Sequence, residues 1–182
     1  MMYELSEALP DDAIVVDDSI SNRGVMRHYF EASRRGDIVG VRGQSIGGGM
    51  GATMGTQCAH PDRKVFGIIG DGSAMMTVQA LWTAANYGIA AVYLVCNNRS
   101  YRILKLNMNI HRQEILREEV DEGFEGYVGM DFPLPLNIAG IAEAIGIYGR
   151  TISDPEAIGP ELISALDSGK PAVLDVVIDG RI

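Results

Sequence analysis

Short β-branched runs alternate along the chain with stretches whose apolar residues recur at helical spacing. Ala13 to Asp18, Ile38 to Val41, Lys64 to Ile69, Ala91 to Cys96, Arg150 to Ile152 and Ala172 to Ile178 read as strands. Two of these, Val65-Phe66-Gly67-Ile68-Ile69 and Val92-Tyr93-Leu94-Val95-Cys96, are almost continuously apolar, which is the pattern of strands covered on both faces. Arg23 to Arg34, Gly48 to Ala59, Met76 to Tyr87, Ile138 to Ile147 and Pro155 to Ser168 read as helices. Gly88 and Gly169 fit C-terminal stops, and Asp154 followed by Pro155 fits an N-cap with proline at the first helical position. The alternation predicts right-handed crossovers and a doubly wound α/β fold, with a mostly parallel sheet of about six strands and helices on both faces.

Residues 107 to 137 break this rhythm. Their periodicity is weak and they mix Gly, Pro and charge, so the stretch reads as a functional surface loop with short helical turns. At 182 residues, the chain is expected to form one domain over 1–182, long enough to withdraw roughly 70% of its unfolded surface from water.

Composition narrows the partners. Hydrophobic residues make up 47% of the chain and charged residues 21%, the balance of a folded protein rather than a disordered one. A formal charge of −9, with no offsetting Lys/Arg cluster, repels nucleic-acid phosphates and anionic lipids, so neither nucleic acid nor membrane is an expected partner. The apolar runs fall short of the ~20 residues that cross a bilayer, and no secretory pattern opens the chain, so a cytoplasmic location is expected. Cys58 and Cys96 lack disulfide or metal spacing and read as buried small hydrophobes.

In a sheet of this kind, ligands gather outside the carboxyl ends of the strands. The segments there are Asp17 to Asn22, Gly43 to Gly49, Gly70-Asp71-Gly72-Ser73 and Asn97-Asn98-Arg99-Ser100. Gly70-Asp71-Gly72 alone fits a plain turn, and Asn97-Asn98 alone fits turn capping. Together they say more, because parallel neighbours lie ~4.8 Å apart and their ends can reach one ion. Magnesium suits such a place: it takes hard oxygen ligands from one or two carboxylates plus a phosphate. Asp71 offers the carboxylate, Asn98 an amide oxygen and Ser100 a main-chain oxygen.

Gly70-Asp71-Gly72 followed by Asn97-Asn98 resembles the signature of thiamine diphosphate (ThDP) enzymes, and the similarity extends over nearly the whole chain. Gly70 to Ala74 with Gln79 to Ala85 is most similar to the benzoylformate decarboxylase and acetolactate synthase group. The resemblance implies a ThDP-binding fold in which Asp71, Asn98 and Ser100 hold Mg2+. It also implies that Gly70, Gly72, Ser73 and Ala74 meet the diphosphate, with Asn98 and Ser100 beside it. Ser21 and Asn22 match the holders of its far end, although Ile20 stands where such enzymes often have a polar residue. Gln44, Ser45 and Ile46 resemble the loop that grips the aminopyrimidine, with Ile46 as the apolar wedge beneath a bent cofactor; from the residues alone, Ile46 reads as core packing.

What the resemblance implies is half an active site. The activating glutamate of the family comes from a pyrimidine-binding domain, so no catalytic side chain is expected in this chain. It is expected to be inactive without that domain or subunit, to work in a homo- or hetero-oligomer, and to serve a lyase or transferase acting on a small 2-keto acid. His28 and His60 read as structural or exposed, and His111 as a weak substrate candidate. Arg99, Arg102 and Lys105 could draw an anionic substrate or form surface pairs. Two other functions fit parts of the sequence. Gly47-Gly48-Gly49-Met50-Gly51-Ala52 satisfies a dinucleotide fingerprint with Asp71 as the ribose acid, implying an NAD(P) oxidoreductase. A non-catalytic scaffold subunit with the same fold is the other.

Overall fold

A computed structural model describes residues 1–30, 37–40, 45–119, 124 and 126–181. Six strands, β1 (Ile14–Asp18), β2 (Ile38–Gly40), β3 (Val65–Gly70), β4 (Val92–Asn97), β5 (Tyr148–Ile152) and β6 (Ala172–Val177), form one sheet in the order β2-β1-β3-β4-β6-β5. Every pairing in it is parallel. The strands predicted from sequence are all present, displaced by a residue or two at their ends. Val41 lies outside the described residues.

The continuous apolar runs have the expected explanation. On β3 and β4, Phe66, Ile68, Val92, Leu94 and Cys96 turn to one face, where they meet α1 (Met2–Ala8), α2 (Arg23–Tyr29) and α8 (Ile158–Asp167) through Leu5, Met26 and Leu162. Ile69, Tyr93 and Val95 turn to the other face. They meet α3 (Gly49–Ala59), α5 (Ala80–Tyr87) and α7 (Ile138–Ile145) through Met50, Leu81 and Ala142. Side chains alternate across a strand, so a doubly covered strand must be apolar at both parities. At about 2 kcal/mol for each large aliphatic buried, the two layers hold the strand tips rigidly enough to aim the residues that follow them.

Helix ends follow their caps. Gly88, Gly146 and Gly169 close α5, α7 and α8 with positive φ, and the Asp154 side chain accepts from the Glu156 amide at 3.1 Å ahead of Pro155. Pro155–Ala157 is a 3-10 turn leading into α8. The helix predicted over Met76 to Tyr87 starts later, as α5 at Ala80, and Met76 is the last residue of a separate helix, α4 (Asp71–Met76), which starts on the residue after β3. Two helical elements lie outside the predicted helices: α1, and α6 (Arg102–Ile110), which continues into a π-type turn over His111–Leu116 at the start of the expected loop. The predicted 31–34 end of the second helix, and 120–123 with 125 of the loop, lie outside the described residues.

The expectation for Cys58 is corrected: it is exposed, on the outward side of α3. Cys96 is buried as expected, and burial pushes its thiol up to about 12.

Candidate functional site

The sheet order reverses direction between β1 and β3, which opens a crevice at their carboxyl ends. Register brings the tips level: Asp18 pairs with Ile69 and Gly70 with Cys96, so Asp18, Gly70 and Asn97 end side by side. Asp71 follows at once as the first residue of α4 and is 2% exposed. Its carboxylate accepts the amide of Gly72 at 2.7 Å and that of Arg99 at 2.6 Å. Arg99 presents its amide this way with φ of +57°, a left-handed conformation uncommon outside glycine. Burial raises the Asp71 carboxyl above its ordinary value, and the surrounding amides of Gly72, Arg99, Asn98 and Ser100 oppose part of that rise.

Beside it, Asn98 Oδ1 accepts the Ser100 amide at 3.0 Å and, more weakly at 3.5 Å, the Ser100 hydroxyl. The Asn98–Ser100 turn therefore closes over the Asp71 carboxylate, and the β3 and β4 tips meet as the spacing predicts. No group of three or more His, Cys, Asp or Glu suited to a metal occurs among the described residues. A cation here would rest on one carboxylate with amide and carbonyl oxygens, a donor set that suits a hard ion accompanied by phosphate.

The opposite wall comes from the turn after β1. Ile20 takes φ of +46°, a strained conformation for a β-branched residue, and leads into a 3-10 turn through Asn22. Among the described residues the Asn22 Nδ2 group is buried without a hydrogen bond that meets ordinary geometry, and the side chain lies beside the Cys96 thiol. Between the walls, Gly72 leaves room that a side chain would fill: a Cβ there would stand 2.4 Å from Cε1 of Tyr101. Tyr101 and Phe132 pack edge to face at 4.8 Å above it. Their segments are tied by Tyr101 N to Met130 O and Phe132 N to Arg99 O, both 2.8 Å. A narrow cradle walled by main-chain amides, with the Asp71 carboxylate at its edge, fits an anion accompanied by a cation.

Of the residues singled out in the sequence, Ser21, Asn22, Ile46, Gly70, Asp71, Gly72, Ser73, Asn98 and Ser100 line this one cleft. Ala74 is buried in the core behind the turn, and Ser45 is exposed next to Ile46; neither lines it. Gln44 lies outside the described residues. Sequence reasoning passed over Asp18, Tyr101 and Ile103, which also line the cleft. Asp18 is wholly buried, and its Oδ2 accepts the Gly49 amide at 2.8 Å and the Ser73 hydroxyl. Its place directly before Ser19 at a strand end was the available signal.

His28, His60 and His111 are all exposed and stand outside the cleft lining. Lys105 is buried against Asp131, with Tyr127 beneath its ammonium, whereas Arg102 lines the cleft while donating to the Arg181 carbonyl at 3.0 Å. The dinucleotide reading requires a free acid at the strand end, whereas Asp71 is buried and capped by main-chain amides. A larger cleft lies at the other ends of β5 and β6, around Gly88, Gly146 and Lys170, and no carboxylate lines it.

Residues 21–176 match the family model described as the thiamine pyrophosphate enzyme C-terminal TPP binding domain. The chain is 31% identical over 176 residues to a benzoylformate decarboxylase of Pseudomonas aeruginosa, covering 96% of this chain and 31% of that protein. It is 33% identical over 171 residues to an acetolactate synthase large subunit of Parasynechococcus marenigrum, covering 92% of this chain and 26% of that one. Among solved structures, a thiamine diphosphate-dependent 4-hydroxybenzoylformate decarboxylase of Rhodococcus jostii RHA1 superposes with a TM-score of 0.84 at 30% identity. That match covers 98% of this chain and 32% of the other. The chain thus spans about a third of the length of these relatives. No helix of the described residues is long and apolar enough to cross a membrane.

Proposed function

The chain belongs to the family of C-terminal TPP-binding domains of thiamine pyrophosphate enzymes, and from that premise we propose that it holds the diphosphate end of ThDP together with Mg2+. In this reading it forms half of the active site of a 2-keto acid decarboxylase or an acetolactate synthase-like carboligase. Asp71, the Asn98 amide oxygen and the Ser100 carbonyl hold the metal. Gly70, Gly72 and Ser73 line the diphosphate, and Ser21 and Asn22 receive its far end. Ile46, flanked by Ser45 and Gln44, supports the aminopyrimidine; the buried Ala74 braces the turn from behind.

The observation that carries this reading is the closure of the Asn98–Ser100 turn on Asp71, with the Arg99 amide 2.6 Å from its carboxylate. When bound, ThDP supplies the carbon acid and the electron sink for breaking the bond to a carboxylate. The chain's own residues bind and orient. Asp71 offsets the charge of the cation, Asn22 donates to an anion in a place screened from water, and the Tyr101 and Phe132 rings keep the Gly72 side narrow.

The remaining chemistry is assigned to a partner. Ile46, Met75, Met76 and Trp82 are exposed, and relatives are about three times as long. A pyrimidine-binding domain, joined or separate, would cover this face and provide the activating acid, leaving the chain alone without turnover. Calorimetry of the chain with ThDP is the direct test. Binding is expected with Mg2+ and is expected to vanish in EDTA; equal binding in both, or NADH bound in preference, would overturn the reading.

A further inference from the structure

The carboxylate of Asp18 belongs to none of the groups assigned above, yet it ties β1 to α3 and α4 beside the cleft. It sits at the end of β1, wholly buried. Its Oδ2 takes the Gly49 amide at 2.8 Å from the first turn of α3, and also the hydroxyl of Ser73 on α4. Ser73 Oγ in turn accepts the Gly47 amide at 2.7 Å, and Thr77 Oγ1 donates to the Gly47 carbonyl at 2.8 Å. Space around these bonds is tight: a Cβ on Gly49 would meet that of Asp18 at 2.5 Å, and one on Gly47, at φ of +97°, would meet that of Met76 at 2.8 Å. Among the described residues the other oxygen, Oδ1, is buried without a partner. Burying a carboxylate this way is costly, and the bonds to Oδ2 offset part of that cost by fixing the structure around them.

What it fixes is Ile46. The residue precedes Gly47, is partly exposed at the cleft, and has no anchoring bond of its own among those described. Its position is inherited from Gly47 and Gly49, both tied to Asp18, one directly and one through Ser73. We propose that Asp18 is a positioning residue: by receiving Ser73 and Gly49 it locks the 46–49 turn against α4, and so places Ile46 for the organic part of the cofactor rather than for its diphosphate. The inference rests on the ThDP reading given above and names the element that sets the wedge.

Inorganic pyrophosphate with Mg2+ and ThDP with Mg2+, each titrated into the full chain, separate the two ideas. The unaltered chain is expected to bind both, ThDP more tightly. Asp18→Ala is expected to keep pyrophosphate affinity within roughly threefold while the preference for ThDP falls roughly tenfold, the size of an ordinary side-chain coupling. Thr77→Val, which removes the second tie on Gly47 and touches no group assigned to the ligand, should give a selective loss in the same direction and guards against a misfolded Asp18→Ala. Asp18→Asn keeps an acceptor oxygen and should restore the preference, which a role for the charge itself would not allow. In the Asp18→Ala/Ile46→Ala pair, the preference should be no lower than with Ile46→Ala alone. Additive losses, or equal weakening of both ligands, would overturn the positioning role; failure of the unaltered chain to bind either ligand would instead remove the ThDP reading and this inference with it.

Discussion

Asp71 and Asp175 are two buried carboxylates on one sheet, and burial raises both above the ordinary carboxylate value. Their donors differ. Asp175, on β6, receives Asn97 Nδ2 at 2.9 Å and the Ile138 amide at 3.1 Å, and Asn97 Nδ2 also reaches the Leu136 carbonyl at 3.1 Å. That arrangement latches the chain entering α7 onto the sheet. Asp71 receives only main-chain amides, at the wall of a cleft. Burial and a perturbed carboxyl therefore do not by themselves mark chemistry; what each oxygen can still accept does. The neighbours Asn97 and Asn98 divide in the same way, the first facing Asp175 and the second lining the cleft.

The contrast can be broken by experiment. The largest effect is expected from Asp175→Ala, which strands the Asn97 and Ile138 donors in the interior and should lower unfolding free energy by about 3 kcal/mol in a denaturant titration. Asp71→Ala should cost far less stability, since its amide donors sit beside the cleft. Instead it should weaken Mg2+-dependent ThDP binding about 100-fold, about 2.7 kcal/mol. Exchange of these two phenotypes would mean the carboxylates have been assigned the wrong way round.

A smaller effect, about 2 kcal/mol of combined stability and affinity, is expected from Gly72→Ala, whose methyl group overlaps Tyr101. Tyr101→Ala in the same chain should recover most of it; no recovery would show that the space above Gly72 is set by something else.

The smallest effect is a slope with pH. Asp175 binds its proton more tightly folded than unfolded, so its contribution to stability is full below 3.8 and declines as pH rises through its raised folded value. The stability of the unaltered chain minus that of Asp175→Asn should therefore fall across that acid window, measured by thermal midpoints at matched ionic strength. A flat difference would mean Asp175 titrates as an exposed carboxyl does.

Much of this was legible in the sequence, for identifiable reasons. Continuous apolar runs marked β3 and β4 because both faces of those strands are covered, and the Gly70-Asp71-Gly72 and Asn97-Asn98 segments sat at the ends of adjacent strands. Gly88 and Gly169 marked helix ends because only a left-handed residue closes them cheaply. The rest depends on distant contacts. α4 begins at Asp71 and α6 at Arg102 with no side-chain cap ahead of either, although α6 is amphipathic. The ties of Asp18 to Ser73 and of Tyr101 to Met130 span 55 and 29 residues, and no local pattern signals them.

The left-handed isoleucine after β1 has a practical consequence for anyone seeking a hardier version of this protein. Holding Ile20 at φ of +46° costs on the order of 1–3 kcal/mol. A glycine there would release that burden and raise the melting temperature, yet it would also free the turn that carries Ser21 and Asn22. Heat tolerance and ligand grip are set against each other at this one backbone torsion, and a screen rewarding thermal resistance alone would select against the cleft.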